Sequence, residues 1–301
     1  WAALLLPEDG KPLWVVRYGQ GGDDRFIQAM PTYEGWLLLG EIAEEQLSEE
    51  GVEPTWVPRP VAVMLGSDGQ EPLGDEEAPR WPITLGGTGE NRLVSILETD
   101  VGWMLSGETN SRSALMPSPR GGLDLWLLYL RQGGYMLWQR VYGGSKDERL
   151  HSIRQLPEGG YVLLGTTESS DGQVTGAHGA QDVWLLRVSA GGVLEWQQTI
   201  GGGDRSVPAG MLALPGGGFL VAGWTLAQDG DFRPHASVRT GFLAKLSVNG
   251  NLERVQLVGG AEECTILDLK ASSEAAYLLG KIRTISADGI HEELWLSRLA
   301  P

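Results

Sequence analysis

Cysteine is almost absent from this chain: Cys264 stands alone among 301 residues. A single thiol excludes an internal disulfide framework and a cysteine-rich zinc site. Histidine is nearly as scarce. His151, His178, His235 and His291 are scattered, without the paired spacing of a metal-binding motif. No apolar run approaches the ~18 residues of a membrane span, and no signal-peptide pattern is visible. No segment sustains a 3.6-residue apolar period with caps, so essentially no helix is expected. Bases are outnumbered, with 23 Lys and Arg against 39 Asp and Glu and a formal charge of -16. Such a surface repels phosphate backbones and anionic membranes, so nucleic acid is not an expected partner. The scarcity of Lys beside Arg, with abundant Leu, Pro, Gly and Glu, is a thermophile-like composition.

What is plentiful is glycine, 44 residues, and tryptophan, 12 residues. Both recur in register. A glycine closing a β-rich segment occurs at Gly19, Gly86, Gly143, Gly201 and Gly259, at spacings of 67, 57, 58 and 58. An aromatic follows the next Gly-rich turn at Trp36, Trp103, Tyr161, Phe219 and Tyr277. Five residues before the first glycine stand Trp14, Trp81, Trp138 and Trp196, with Arg254 in the last copy. Three markers holding one register over five copies define an internal repeat. The units run approximately 20–85, 86–142, 143–200, 201–258 and 259–301, the last completed by 1–19, within a single domain.

Each unit reads as four short strands. In the third they are "LHSIRQL", "YVLLGTT", "DVWLLRV" and "VLEWQQTI", separated by a tight turn, a long polar loop and a second tight turn. Length, β-branched and aromatic content and Gly-bounded turns favour strands. Strands apolar nearly throughout are those of sheets covered on both faces. Four antiparallel strands per ~58-residue unit are the signature of propeller blades. The repeated Trp and Leu are then core between blades.

The pattern "W-x-x-x-x-G-G", a Gly-Gly-aromatic turn, then "D-x-W-L-L" and a "G-x-x-x-W" turn stands here as Trp138, Gly143, Gly144, Gly159, Gly160, Tyr161, Asp182, Trp184, Gly192 and Trp196. It resembles the repeats of bacterial β-propeller proteins, a quinoprotein-like group often found on secreted and surface proteins. The resemblance covers essentially the whole chain and speaks to fold. It implies a binding or scaffold module that is extracellular, periplasmic or at the cell surface. No quinone-binding constellation is present to carry over, so no cofactor is expected.

The expected architecture is an all-β, five-bladed propeller whose ring is closed by the N-terminal strand; a fragment of a larger propeller is the alternative. The fifth unit ends at "LWLSRLAP" without an outer strand, and "KPLWVVRYG" at 11–19 supplies one, pairing with 293–299. That leaves "WAALLL" as a surplus third strand, starting mid-pattern as if processed or cut from something longer. Trp1, Leu4, Leu5 and Leu6 are therefore candidates for self-assembly through the N-terminal strand.

Loop placement puts the long loops and the "YGG" connections on one face, where function concentrates. Residues opening the inner strands, Asp24, Asn91, Glu148, Ser206 and Cys264, are expected to face the central channel. Asp23, Glu90, Asp147, Arg205 and Glu263 precede them. Asp24, Asp147 and Glu148 form a candidate oxygen-ligand set for a divalent cation such as calcium. The plainer alternative is solvated turn acids, some paired with the following arginine. Two function classes follow. One is a non-catalytic protein-interaction or structural module of an exported or cell-surface assembly, contacting protein subunits or surface glycans. The other is a carbohydrate-active propeller, a hydrolase, lyase or lectin, with Asp24, Glu148 and Glu263 as its acid and base candidates.

Overall fold

The computed structural model describes residues 2–5, 14–17, 19, 24–33, 35–46, 55–71, 81–112, 118–233, 238–259, 262–272, 275–286 and 288–299. It is all-β, with one 3-10 turn at Gly230–Phe232. A short pair, β1 (Ala2–Leu5) and β2 (Trp14–Arg17), precedes five antiparallel meanders. Blade 1 is β3 (Arg25–Thr32), β4 (Gly35–Gln46), β5 (Thr55–Gly66) and β6 (Ile83–Thr84). Blade 2 is β7 (Asn91–Thr99), β8 (Gly102–Thr109), β9 (Asp124–Arg131) and β10 (Met136–Tyr142). Blade 3 is β11 (Glu148–Gln155), β12 (Tyr161–Thr167), β13 (Asp182–Val188) and β14 (Leu194–Ile200). Blade 4 is β15 (Ser206–Ala213), β16 (Phe219–Thr225), β17 (Thr240–Leu246) and β18 (Leu252–Val258). Blade 5 has three strands, β19 (Glu263–Ala271), β20 (Ala276–Ser286) and β21 (Gly289–Leu299). The five sheets fit five propeller blades.

The chain divides into two compact units. One holds Trp1–Pro119 with Leu125–Tyr142; the other holds Arg120–Asp124 with Gly143–Pro301.

A backbone feature invisible in the sequence confirms the repeat. The inner strand of every blade carries one bulge where it pairs with the second strand. The residues skipped are Ile27, Val94, His151, Ala209 and Leu267. Their intervals are those of the glycine markers. A bulge bends and over-twists its strand, so each blade acquires the same local twist at the same place.

Within the first unit, Leu37, Leu39, Ala62 and Met64 of blade 1 pack on Trp103, Leu105, Trp126 and Leu128 of blade 2. Within the second, Val162, Leu164, Val183 and Leu185 of blade 3 pack on Phe219, Val221, Phe242 and Ala244 of blade 4. Alternate residues of one strand point to opposite faces of its sheet, and "VWLLRV" is apolar on both faces except at Arg187.

The outer-strand tryptophans seal these seams. Trp196 lies against Phe219, ring centres 5.7 Å apart, and against Gly250 of blade 4, where any side chain would strike the indole. Gly250 also has φ 80°, a left-handed conformation that glycine adopts without a Cβ penalty. Trp81 is seated likewise on Gly134, and Trp14 on Gly69. Arg254, which replaces the tryptophan in blade 4, departs from this pattern: its side chain is exposed on β18.

Among the described residues the expected pairing of 11–19 with 293–299 is not made. β2 pairs with β1, with Leu5 opposite Trp14, and among the described residues β21 pairs only with β20. Two physical facts favour the local pair. Only residues 6–13 separate the strands, so the loop costs little entropy to close. And "WAALLL" is itself a third strand: Leu5 is paired with Trp14 as Arg187 is paired with Trp196 in blade 3. The segment expected to be surplus is thus the proper partner of β2. Trp1 and Leu6 lie outside the described residues.

Candidate functional site

The loop ends of the inner strands carry a repeated polar knot. In blade 3, Thr167 Oγ1 donates to Glu148 Oε1 at 2.6 Å and accepts from the Ser169 N–H at 3.0 Å. In blade 2, Thr109 Oγ1 donates to Asn91 Oδ1 at 2.7 Å and accepts from the Ser111 N–H at 3.0 Å. Blade 4 uses Ser206 and Thr225, 3.0 Å apart, and the Ala227 N–H. Each knot ties the inner strand to the second strand and turns the chain into the long loop.

Four of the five residues opening the inner strands, expected to face the channel, are closed off from solvent. Asn91, Glu148, Ser206 and Cys264 are all buried, because these knots and the loops above close over them. Asp24, half-buried, accepts the Ala43 N–H at 2.7 Å. Asp147 accepts the Leu123 N–H at 2.9 Å and pairs with Arg149 at 3.0 Å. Glu263 lies 3.5 Å from Arg283. Among the described residues no three His, Cys, Asp or Glu side chains come together as a metal-binding group. Asp24 belongs to the first unit, and Asp147, Glu148 and Glu263 to the second.

A different pair emerges. Asp124, the first residue of the "D-x-W-L-L" strand in blade 2, meets Glu148, the first residue of blade 3. Both are fully buried, and each perturbs the other's titration. Asp124 Oδ2 accepts the Arg120 N–H at 2.7 Å, and Glu148 Oε2 accepts the Gly144 N–H at 2.9 Å. Gly143 arches over the pair, where a methyl group would collide with both carboxyls. No protein donor reaches Asp124 Oδ1; a proton shared with Glu148 would satisfy it. Burial pushes Asp124 from an ordinary 3.8 up to about 7, reinforced by the charge of Glu148. Burial raises Glu148 as well, opposed by its bond from Thr167.

Blade 3 repeats the first half of this device. Asp182 accepts the His178 N–H at 2.6 Å, four residues back as Arg120 is from Asp124. Its carboxyl lies 3.3 Å from His178 Nδ1, and burial raises its pKa. Ser206 stands where Glu148 stands, so no second acid dyad forms. The "D-x-W" aspartates were visible as a pattern. Their meeting with the next repeat was not, because it depends on how one blade's third strand abuts the next blade's first.

Two arginines line an open recess of this face in the second unit. A cavity of about 210 Å³ is lined by Arg149, His151, Thr166, Gln181 and Arg205. Arg205 Nε donates to Gln181 Oε1 at 2.6 Å. Trp224 lies beside it, with the Arg239 guanidinium 4.4 Å and that of Arg205 6.0 Å from its ring, cation–π distances.

No protein-family model matches the chain, and no curated protein matches its sequence. Among the described residues no helix is long and apolar enough to cross a membrane.

Proposed function

We propose that the chain is a non-catalytic β-propeller module of an exported or cell-surface assembly, binding protein subunits or surface glycans through its long-loop face. The observation that carries this reading is the fate of the carboxylates. General acid–base work on a glycan needs an acid and a base that both reach the substrate. Glu148, one of the three sequence candidates, is sealed under the loop with Asp124. Asp24 is committed to a backbone N–H and Glu263 faces an arginine. These acids hold loops to strands, as a rigid scaffold requires. The Arg149–Arg205 recess takes an anionic group, a carboxylate or a sulfate, of the bound partner.

The test is an array of acidic peptides and anionic glycans probed with the wild type and with an Arg149→Ala, Arg205→Ala double variant. Binding without turnover, weakened at least about tenfold in the variant, supports the reading; a tenfold loss is the ordinary effect of ~1.4 kcal/mol at charged contacts. Cleavage of any glycan that is abolished in Glu148→Gln, or binding indifferent to both arginines, counts against it.

A further inference from the structure

The repeat shows what the recess between blades 3 and 4 lacks. Near the loop end of each blade the inner strand pairs with the second strand at equivalent positions: Arg25 with Glu41 in blade 1, Arg92 with Glu108 in blade 2 and Arg149 with Thr166 in blade 3. In blade 1 the side chains form a two-pronged ion pair, at 2.7 and 2.8 Å. In blade 2 the guanidinium lies 3.9 Å from the carboxylate. Both glutamates are buried, so the chain supplies its own anion at each of these positions. Blade 3 keeps the arginine and puts a short, uncharged hydroxyl side chain in the glutamate's place. The recess of about 210 Å³ opens at this pair, lined by both Arg149 and Thr166. Arg149 also lies 3.0 Å from Asp147. Arg205, from the connection entering blade 4, lines the recess too and gives its Nε to a neutral amide, Gln181. None of the eight lining residues is acidic, and all belong to the second compact unit.

We infer that the recess takes the carboxylate of a sugar acid, seated on Arg149 where Glu41 and Glu108 stand in the first two blades. The inference rests on the proposed loop-face binding and names the chemistry of its ligand. A guanidinium and a carboxylate match as two parallel forks, and this is the pairing that the same repeat position makes in blade 1. The position suits the two coplanar oxygens of a glutamate, which singles out a carboxylate over a tetrahedral sulfate. Arg205 brings a second set of donors from blade 4. Gln181, Thr166 and His151 line the rest. Their amide, hydroxyl and imidazole groups exchange hydrogen bonds with hydroxyls, which a sugar acid carries beside its carboxyl and an acidic peptide side chain does not.

Returning the carboxylate to the chain is the test. Binding of galacturonate, its methyl ester, galactose 6-sulfate and an acetylated, amidated glutamate is followed by NMR titration of the wild type, Thr166→Glu and Arg149→Met. Thr166→Glu restores the arrangement of blades 1 and 2 and should close the recess to the ligand. Arg149→Met removes the charge and keeps most of the stem. Thermal unfolding checks that both fold; the Arg149 side chain is 42% exposed, so its variant carries the test by itself if the buried position 166 rejects a glutamate. The wild type should bind galacturonate at least about tenfold more tightly than the ester, and each variant should lose at least about tenfold. Sulfate bound as tightly as galacturonate, or glutamate bound more tightly, overturns the inference and leaves an anion-binding loop face standing. Galacturonate binding indifferent to both substitutions overturns it by placing the ligand elsewhere. A wild type that binds none of the four probes overturns it too, and the array of larger acidic peptides and glycans then decides the loop-face reading separately.

Discussion

Replacing Asp124 with asparagine should remove the pH response of stability contributed by the buried acid pair. In the native state Asp124 is raised to about 7 by burial and by Glu148, against an ordinary 3.8. Between those values the native state keeps a proton that the unfolded chain releases. Stability therefore falls as pH rises through that window, and the loss is complete above about 7. From pH 5 to 7 the window spans about two units, at ~1.36 kcal/mol per unit, or about 2.7 kcal/mol as an upper figure; relaxation around the pair reduces it. The substituted amide would not titrate, would still accept the Arg120 N–H, and would offer a donor to Glu148. Urea unfolding of wild type and Asp124→Asn at pH 5 and pH 8 isolates the effect, since the rest of the acidic surface is common to both. Relative to wild type, the variant should gain about 2–3 kcal/mol between the two pH values. Equal shifts in both proteins, or a difference of the opposite sign, would refute the shared-proton account.

Other consequences follow from the seams and knots. Trp196→Ala should cost about 3 kcal/mol, at the low end for a large aromatic because the ring is only half-buried; denaturant unfolding giving less than ~1 kcal/mol would make the indole a surface feature. Thr167→Val removes the donor to Glu148 and the acceptor for Ser169 and should destabilise by about 1–3 kcal/mol; an unchanged midpoint would dissolve the knot. Cys264 is buried and its thiol is raised by burial, so a thiol reagent at about pH 8 should label the native chain far more slowly than the urea-unfolded one, and equal rates would place it at the surface.

The blades were legible in the sequence because their determinants are local. Gly-bounded turns, strand-length apolar runs and the tryptophan register need no knowledge of neighbours, and the strands of blade 3 fall within a residue or two of the segments read from the text. The ring closure was not legible. "WAALLL" and "ELWLSRLAP" carry the same third-strand pattern, and pattern alone cannot rank a short-range partner against a distant one. The candidate acids show the same divide. Glu148 is visible in the sequence as a repeat position, and the expected channel would have exposed it; the bulge at His151 and the Thr167–Ser169 turn bury it instead. Asp124 stood in plain view inside "D-x-W-L-L", but its chemistry arises only where it meets the next repeat.

The most direct test of the central claim, that these carboxyls bind the scaffold together and perform no chemistry, is a carbon-13 NMR titration of the Asp and Glu carboxyls, with Asp124 and Glu148 assigned through Asp124→Asn and Glu148→Gln. The account predicts that one proton remains in the pair well above about pH 5, with Asp124 titrating at about 7. Both groups titrating as ordinary solvent-exposed acids below about pH 5 would contradict it and return Glu148 to the list of available catalytic groups.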